Sequence, residues 1–292
     1  MTPTAWSRRS LPTPPATRCK DVARPITFLS DYGYEDEFAG VCRAVIARIA
    51  PEAKVIDLTH GIARHQVRQG AAVLANALPF APPGVHLAVV DPEVGTERRA
   101  VAVRVAEEDR VLVGPDNGLL WPAIERLGGA VEAVDVSRSP LRLELISATF
   151  HGRDVFAPVA AHLACGASLS EAGERIPAES LVALQASQPE IGPNHLLAHV
   201  ISVDRFGNAA LDLADRHLPA SGLRMGHSVA LETQGQSLEA MFTLTFADVG
   251  KGELLLYLDS NGSVALAVNR SSAATELGLA PGDEVVLRPL YT

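Results

Sequence analysis

Residues Val85 to Val90 form a short, almost wholly apolar run. A strand carries apolar side chains on both faces when both faces are covered, the situation of a strand inside a parallel α/β sheet. Asp91 follows at the carboxyl end of that run, the edge at which open α/β sheets hold ligands. Pro92 and Gly95 turn the chain, and Arg98 brings a cation back toward the same edge. The apolar run Ala100-Val-Ala-Val-Arg-Val105 then starts the next strand. A carboxylate and a guanidinium are thus held by a short stiff loop, either as a site or as an ion pair that shapes a turn.

The flanking sequence repeats the strand–helix alternation. Ile26 to Leu29 reads as a first strand ending in Ser30-Asp31-Tyr-Gly33, and Asp36 opens a helix in which Phe38, Val41, Cys42, Val45, Ile46 and Ile49 recur at helical spacing. Val55 to Leu58 is a second strand with Thr59-His-Gly61 as its exit. Helices are expected from Val67 to Leu78, around Leu119, Leu120 and Ile124, and from Asp154 to Cys165; further strands are expected at Arg110 to Val113 and Val134 to Val136. Such alternation implies a layered α/β domain with a mostly parallel sheet. After Ala186 the pattern changes to short β-type runs at Leu196–Val203, Ser228–Leu231, Met241–Phe246, Leu254–Leu258, Val264–Val268 and Glu284–Leu287, with helix signal only at Ala273–Leu277. That predicts a smaller all-β, barrel-like domain. The expected organisation is a disordered extension over 1–24, a catalytic α/β domain over 25–186, a linker over 187–194 and a β-barrel-like substrate-binding domain over 195–292.

Composition narrows the function classes. The 292 residues are 47% hydrophobic and 20% charged, enough for sizeable cores, and carry a net charge of −9, which argues against nucleic acid or an anionic membrane as a partner. No apolar run approaches the roughly 20 residues of a membrane span. The basic first 24 residues lack the apolar segment of a secretory signal. The three widely spaced cysteines, Cys19, Cys42 and Cys165, suggest a reducing compartment, hence the cytoplasm, and no zinc ribbon.

Polar side chains collect at the expected strand ends: Asp31 and Asp36, His60, Asp91 and Arg98, Asp116 and Asn117, His151 and Asp154. Asp and His at a sheet edge could hold two metal ions for phosphoester hydrolysis, but no H-x-H or H-x-x-E-H spacing occurs. The one H-x-x-x-H, His195 to His199, falls in sequence that reads as strand. G-x-S-x-G, G-x-G-x-x-G and Walker signatures are absent too.

Read in order, Phe28-Leu-Ser-Asp-Tyr-Gly33 with Asp36, Asp57-Leu-Thr-His60, Val90-Asp-Pro-Glu-Val-Gly-Thr-Glu-Arg98, Gly114-Pro-Asp-Asn-Gly118, Thr149-Phe-His-Gly-Arg153, Val203-Asp-Arg-Phe-Gly-Asn208, Thr245-Phe-Ala-Asp-Val249 and Ala267-Val-Asn269 form a series. The series resembles the S-adenosyl-L-methionine hydrolases (adenosyl hydroxide transferases), relatives of the adenosyl chlorinases and fluorinases, across Ile26 to Leu290. The resemblance implies metal- and cofactor-free hydrolysis of a small-molecule substrate, S-adenosyl-L-methionine, to adenosine and methionine, in a homotrimer with sites between subunits. It implies a water-activating set at Asp91, Arg98 and His151: Arg98 to stabilise developing hydroxide charge, Asp91 and His151 to orient the water or take a proton. It further implies Asp31 at the ribose hydroxyls, Asp36 and Asp204 at the methionine amino group, Ser260 at the carboxylate, and Asn208, Asn269 and Arg270 around adenine. Phe246 would stack, and Phe150 and His65 would line the substrate.

The sequence also departs from the family. Glu93 stands where the hydrolases commonly have glycine, His65 where relatives often have an aromatic residue, and Asn261 where the halogenating relatives have arginine. Arg99 competes with Arg98, although strand alternation directs it to the opposite face. Halide transfer by the same fold, and a non-catalytic adenosyl-ligand sensor, are the rival readings.

Overall fold

The computed structural model describes residues 23–185, 187–192 and 195–290. The expected extension over 1–24 lies outside them except for its last two residues. Ala23 is buried, and Arg24 donates to the Leu163 carbonyl at 3.0 Å and pairs with Asp109 at 2.8 Å. The chain divides into two compact units that meet at Leu184 and Gln185.

The first unit runs β1 (Ile26–Ser30), α1 (Phe38–Ile49), β2 (Val55–Thr59), α2 (Val67–Ala77), β3 (Val85–Val89), β4 (Ala100–Val105), β5 (Val111–Pro115), α3 (Trp121–Arg126), β6 (Ala130–Asp135), α4 (Ala157–Ala164) and β7 (Glu174–Ile176). Its seven-stranded sheet has the order β2-β1-β3-β5-β4-β6-β7. Strands β2, β1, β3, β5 and β6 share one direction; β4 and β7 oppose them.

Two cores lie on the two faces of this sheet. Val85, Leu87 and Val89 of β3 pack with Cys42 and Ile46 of α1 and Val159 and Leu163 of α4. Ala88 and Val90 pack with Leu74 of α2 and Ala123 and Ile124 of α3. Side-chain alternation along a strand therefore finds apolar cover on either side, which is why the run from Val85 needs no polar face.

Several boundaries move. Asp36 does not cap α1, whose first flanking residue is Glu37 with no side-chain cap. The helix expected from Asp154 begins earlier, as a π-helical turn at Gly152–Phe156 that continues into α4. The helix around Leu119 starts only at Trp121, because the Asn117 side chain accepts the Leu119 N–H at 3.1 Å in a turn.

The second unit comprises β8 (Glu190–Ile191), β9 (Leu196–Val203), β10 (Ala209–Ala214), β11 (Ser228–Thr233), β12 (Gln236–Phe242), β13 (Leu254–Leu258), β14 (Ser263–Val268) and β15 (Glu284–Pro289). Its order β10-β14-β13-β12-β11-β15-β9 is closed by pairing of β9 with β10, giving a seven-stranded barrel, with β8 added outside β9. Closure leaves no open edge among the seven, and the inward residues Leu211, Leu231, Phe242, Leu256, Leu266 and Leu287 fill the interior. The strand expected at Met241–Phe246 ends at Phe242, with Phe246 in a short 3₁₀ turn beyond it. Glu190 and Ile191, read as linker, pair with β9.

Candidate active site

In the first unit Asp31 leaves β1 and Asp91 leaves β3, side by side because those strands are parallel neighbours. Arg98 returns just ahead of β4. His151 comes from the segment after β6, at the start of the π-helical turn. Two glycines allow these loops to close on one another. Gly95 has φ +84°, and a Cβ there would sit 2.6 Å from the Ala148 carbonyl oxygen; a Cβ on Gly152 would sit 2.0 Å from the Tyr32 hydroxyl. The backbone approach of the Asp91–Arg98 turn to the segment carrying His151 needs these residues to lack side chains.

Arg98 is the hub. Its Nε donates to Asp91 Oδ1 at 2.9 Å, its Nη2 pairs with Asp91 Oδ2, and Nη2 also reaches His151 Nδ1 at 3.1 Å. Nη1 donates to the Arg99 carbonyl at 3.3 Å, and the guanidinium lies over the Phe156 ring, 5.1 Å from its centre. The Arg98 and Asp91 side chains are only 5% and 6% exposed, so this is a desolvated bidentate pair rather than a surface bridge. A guanidinium has no acceptor, so Nδ1 of His151 must accept and the ring proton of the neutral imidazole sits on Nε2. Burial and the Arg98 charge push the His151 imidazole below its usual pKa, against Asp91 and Asp154, so the neutral form is the one held.

A cavity of about 350 Å³ opens in front of this cluster. The sequence-derived residues Asp31, Asp36, His65, Asp91 and His151 line it, as do Tyr32, Phe38, Arg64, Val94, Thr149 and Gly152. Arg98 is not on the wall; it stands behind Asp91 and His151. Phe150 backs the wall, its ring edge-to-face with Phe38 at 5.1 Å and Tyr32 at 5.8 Å. Asp31 accepts the His65 backbone N–H at 3.0 Å, and His65 holds φ +65° to donate it. Burial drives the Tyr32 phenol well above its usual pKa. Arg64 was legible only as the neighbour of His65; no periodicity singles it out. Arg99 leaves for Asp116 and Ser180, away from His151.

In the second unit the assigned residues occupy turns. Asp204 Oδ1 accepts the Phe206 and Asn208 backbone N–H groups at 2.8 and 2.9 Å, and Oδ2 accepts from Asn208 Nδ2 at 2.8 Å. Phe246 lies 5.0 Å from the Tyr257 ring, whose phenol burial, with Asp204 and Asp259 nearby, raises to about 12. Ser260 follows Asp259, which accepts the Asn261 and Ser263 N–H groups. Asn269 Nδ2 donates to the Val249 carbonyl at 2.8 Å, and Arg270 has φ +64°. The structure thus joins Asp204 to Asn208 and Phe246 to Tyr257, and places Ser260, Asn269 and Arg270 in other turns.

Among the described residues no group of three or more His, Cys, Asp or Glu side chains is arranged to hold a metal ion. No helix among them is long and apolar enough to cross a membrane.

Comparison with known proteins places this architecture. The family model of the SAM hydroxide adenosyltransferase N-terminal domain matches residues 26–173, and that of the C-terminal domain matches residues 198–286. The (R)-S-adenosyl-L-methionine hydrolase of Salinispora tropica is 46% identical over 260 residues, 89% of this chain and 96% of that protein. A fluorinase of Nocardia brasiliensis is 29% identical over 91% of this chain and 97% of its own. The crystal structure of an uncharacterized conserved protein from Thermotoga maritima superposes with a TM-score of 0.84 at 35% identity, covering 90% of this chain and 99% of that one. Matched in both units and along nearly its whole length, the chain belongs to the SAM hydroxide adenosyltransferase family.

Proposed function

We propose that the protein hydrolyses S-adenosyl-L-methionine to adenosine and L-methionine by attack of water on ribose C5′. The observation that carries this reading is the Asp91–Arg98–His151 cluster, which presents a carboxylate and a neutral imidazole of fixed tautomer to one cavity. The identity to proteins named as S-adenosyl-L-methionine hydrolases supports the substrate.

The chemistry asks little of an acid. The sulfonium already carries a positive charge, so the C5′–S bonding pair passes to sulfur and leaves a neutral thioether without protonation. The demand falls on the nucleophile, since water with a pKa of about 15.7 is a poor one. Asp91 accepts a hydrogen bond from the water and takes the proton as the C5′–O bond forms; the proton then passes to solvent. His151, donating through Nε2, fixes the orientation of the water. Arg98 acts through both: it holds the carboxylate in place and dictates the imidazole tautomer. Such placement of polar groups before the reaction is what electrostatic catalysis requires.

Asp31 holds the ribose hydroxyls, Asp36 faces the methionine amino group, and Tyr32, Phe38 and His65 form the wall. Asp204, Asn208, Phe246, Ser260, Asn269 and Arg270 bind the adenine and methionine ends, contributed by a neighbouring subunit of a homotrimer in the cytoplasm. No metal or cofactor takes part.

Incubation of purified protein with S-adenosyl-L-methionine, followed by chromatography, is the test. Equimolar adenosine and methionine, undiminished by EDTA, is the expected result. A chloronucleoside as main product in high chloride, or tight binding without turnover, overturns the assignment. For the assembly, mixing inactive Arg98→Ala chains with Asn208→Ala chains, at substrate well below the KM of the latter, should restore part of the activity after subunit exchange; no recovery despite demonstrated exchange refutes shared sites.

A further inference from the structure

His60 is fully buried and has no part in the chemistry above. Its Nδ1 lies 2.7 Å from the hydroxyl of Ser30, which is also fully buried, and that hydroxyl accepts the Tyr32 backbone N–H at 3.3 Å. Its Nε2 lies 3.2 Å from Asp57 Oδ1, off the line of a hydrogen bond, and neither atom has another partner. Arg43 pins the other Asp57 oxygen at 2.8 Å. The His60 carbonyl accepts the Gly33 N–H at 2.8 Å, and its ring is packed edge-on between Phe28 and Tyr34. Every contact of His60 itself is to β2 or to the segment 28–34 that bears Asp31.

The donors and acceptors admit one consistent direction. Asp57 favours the ring proton on Nε2, so Nδ1 accepts from the Ser30 hydroxyl, which leaves a Ser30 lone pair for the Tyr32 N–H. Burial lowers the His60 pKa, although Asp57 opposes this, and the neutral ring suits the arrangement. Ser30 is fully buried and does not line the cavity, so the Ser–His–Asp order does not present a nucleophile to it.

We propose that the Ser30–His60–Asp57 chain is a positioning device that fixes the peptide between Asp31 and Tyr32 and thereby aims the Asp31 carboxylate at the ribose hydroxyls of the substrate. This rests on the role of Asp31 proposed above. His60 and Ser30 are positioning residues: they set how well the ribose is gripped and leave the water-activating groups alone.

The test measures binding of adenosine and 2′-deoxyadenosine to wild type, Ser30→Ala, His60→Gln and His60→Asn by calorimetry, with kcat and KM for S-adenosyl-L-methionine. Losing one such buried hydrogen bond is expected to weaken adenosine about fivefold and to raise KM similarly, while 2′-deoxyadenosine affinity and kcat stay within about twofold. Asparagine places an acceptor near the Nδ1 position and glutamine places a donor near Nε2. His60→Asn should therefore recover the wild-type preference for ribose, and His60→Gln should not. Equal losses for both nucleosides, unchanged adenosine binding, or a His60→Asn protein as impaired as His60→Gln overturns the proposal. A wild type that does not discriminate the two nucleosides refutes the ribose role of Asp31 and the proposal with it; absent turnover with discrimination intact refutes only the hydrolase reading. Should Ser30→Ala fail to fold, the two His60 variants decide.

Discussion

The two units hold the residues proposed to act on the substrate in opposite ways. In the α/β unit Arg98 is bonded to Asp91 and, across 53 residues of sequence, to His151, and the Arg98–Asp91 pair is almost dry. In the barrel, Asp204, Asn208, Ser260 and Asn269 sit on turns, and the polar atoms of Asp204 and Asn269 bond to their own or adjoining loops. Chemistry needs groups whose direction is set before the substrate arrives, whereas recognition can be built from loop shape. Substitutions in the first set should therefore act on turnover, and those in the second on affinity.

The largest effect is expected at Arg98. Arg98→Ala leaves a buried carboxylate unpaired and releases the His151 tautomer, so kcat for adenosine release should fall by ~10²–10³. Arg99→Ala, which cuts only the tie to Asp116 and Ser180, should leave kcat within about twofold. Equal losses would end the distinction between the two arginines.

Next come two close-approach glycines, one in each unit. Gly152→Ala pushes a methyl into the Tyr32 hydroxyl and should cut kcat on the order of ten- to a hundredfold by displacing His151. A Cβ on Gly207, at φ +83°, would lie 2.0 Å from the Ser272 hydroxyl. Gly207→Ala should instead raise KM, because it deforms the loop between Asp204 and Asn208. Steady-state kinetics of both variants would expose a reversal.

Acid should also separate the units. Burial lowers the pKa values of His60, His86, His151 and His162 in the first unit, His86 to about 3 with Arg110 and Arg24 adding to the shift, and that of His217 in the barrel. These groups stay neutral when folded and bind protons when unfolded. The stability they give is complete above the ordinary value of about 6.5 and is lost as pH falls toward the folded pKa, at about 1.4 kcal/mol per pH unit for each fully buried ring. Amide exchange at pH 7 and pH 5 should show the α/β peptides losing protection first. Barrel peptides opening earlier would refute this.

The smallest effect is expected at Phe246. Phe246→Ala removes one face from the Phe246–Tyr257 pair and should raise KM several-fold, consistent with about 1 kcal/mol for an aromatic contact, with kcat preserved.

Much of this was legible in the chain itself. The run Val85–Val90 names a strand covered on both faces, and the turn from Asp91 to Arg98 is local enough that spacing alone brings the two charges together. The strands Leu196–Val203 and Leu254–Leu258 have the observed bounds because alternation, backed by β-branched or leucine-rich content, is a local signal. Strand β10 was missed: Ala209-Ala-Leu-Asp-Leu-Ala214 reads as well for a helix, and only pairing with β9 and β14 makes it a strand.

Sequence determined which residues carry charge, which segments can be strands, and where glycine must replace a side chain. Tertiary structure alone decided that Arg98 stands behind Asp91 and His151, that His151 presents Nε2–H, that Arg64 and Tyr32 join the cavity wall, and that Ser30 meets His60. The physical reason is that periodicity fixes the face a side chain takes, a property of a few neighbouring residues. The partner a buried donor finds depends on which remote loop packing brings within about 3 Å, and no local pattern encodes that distance.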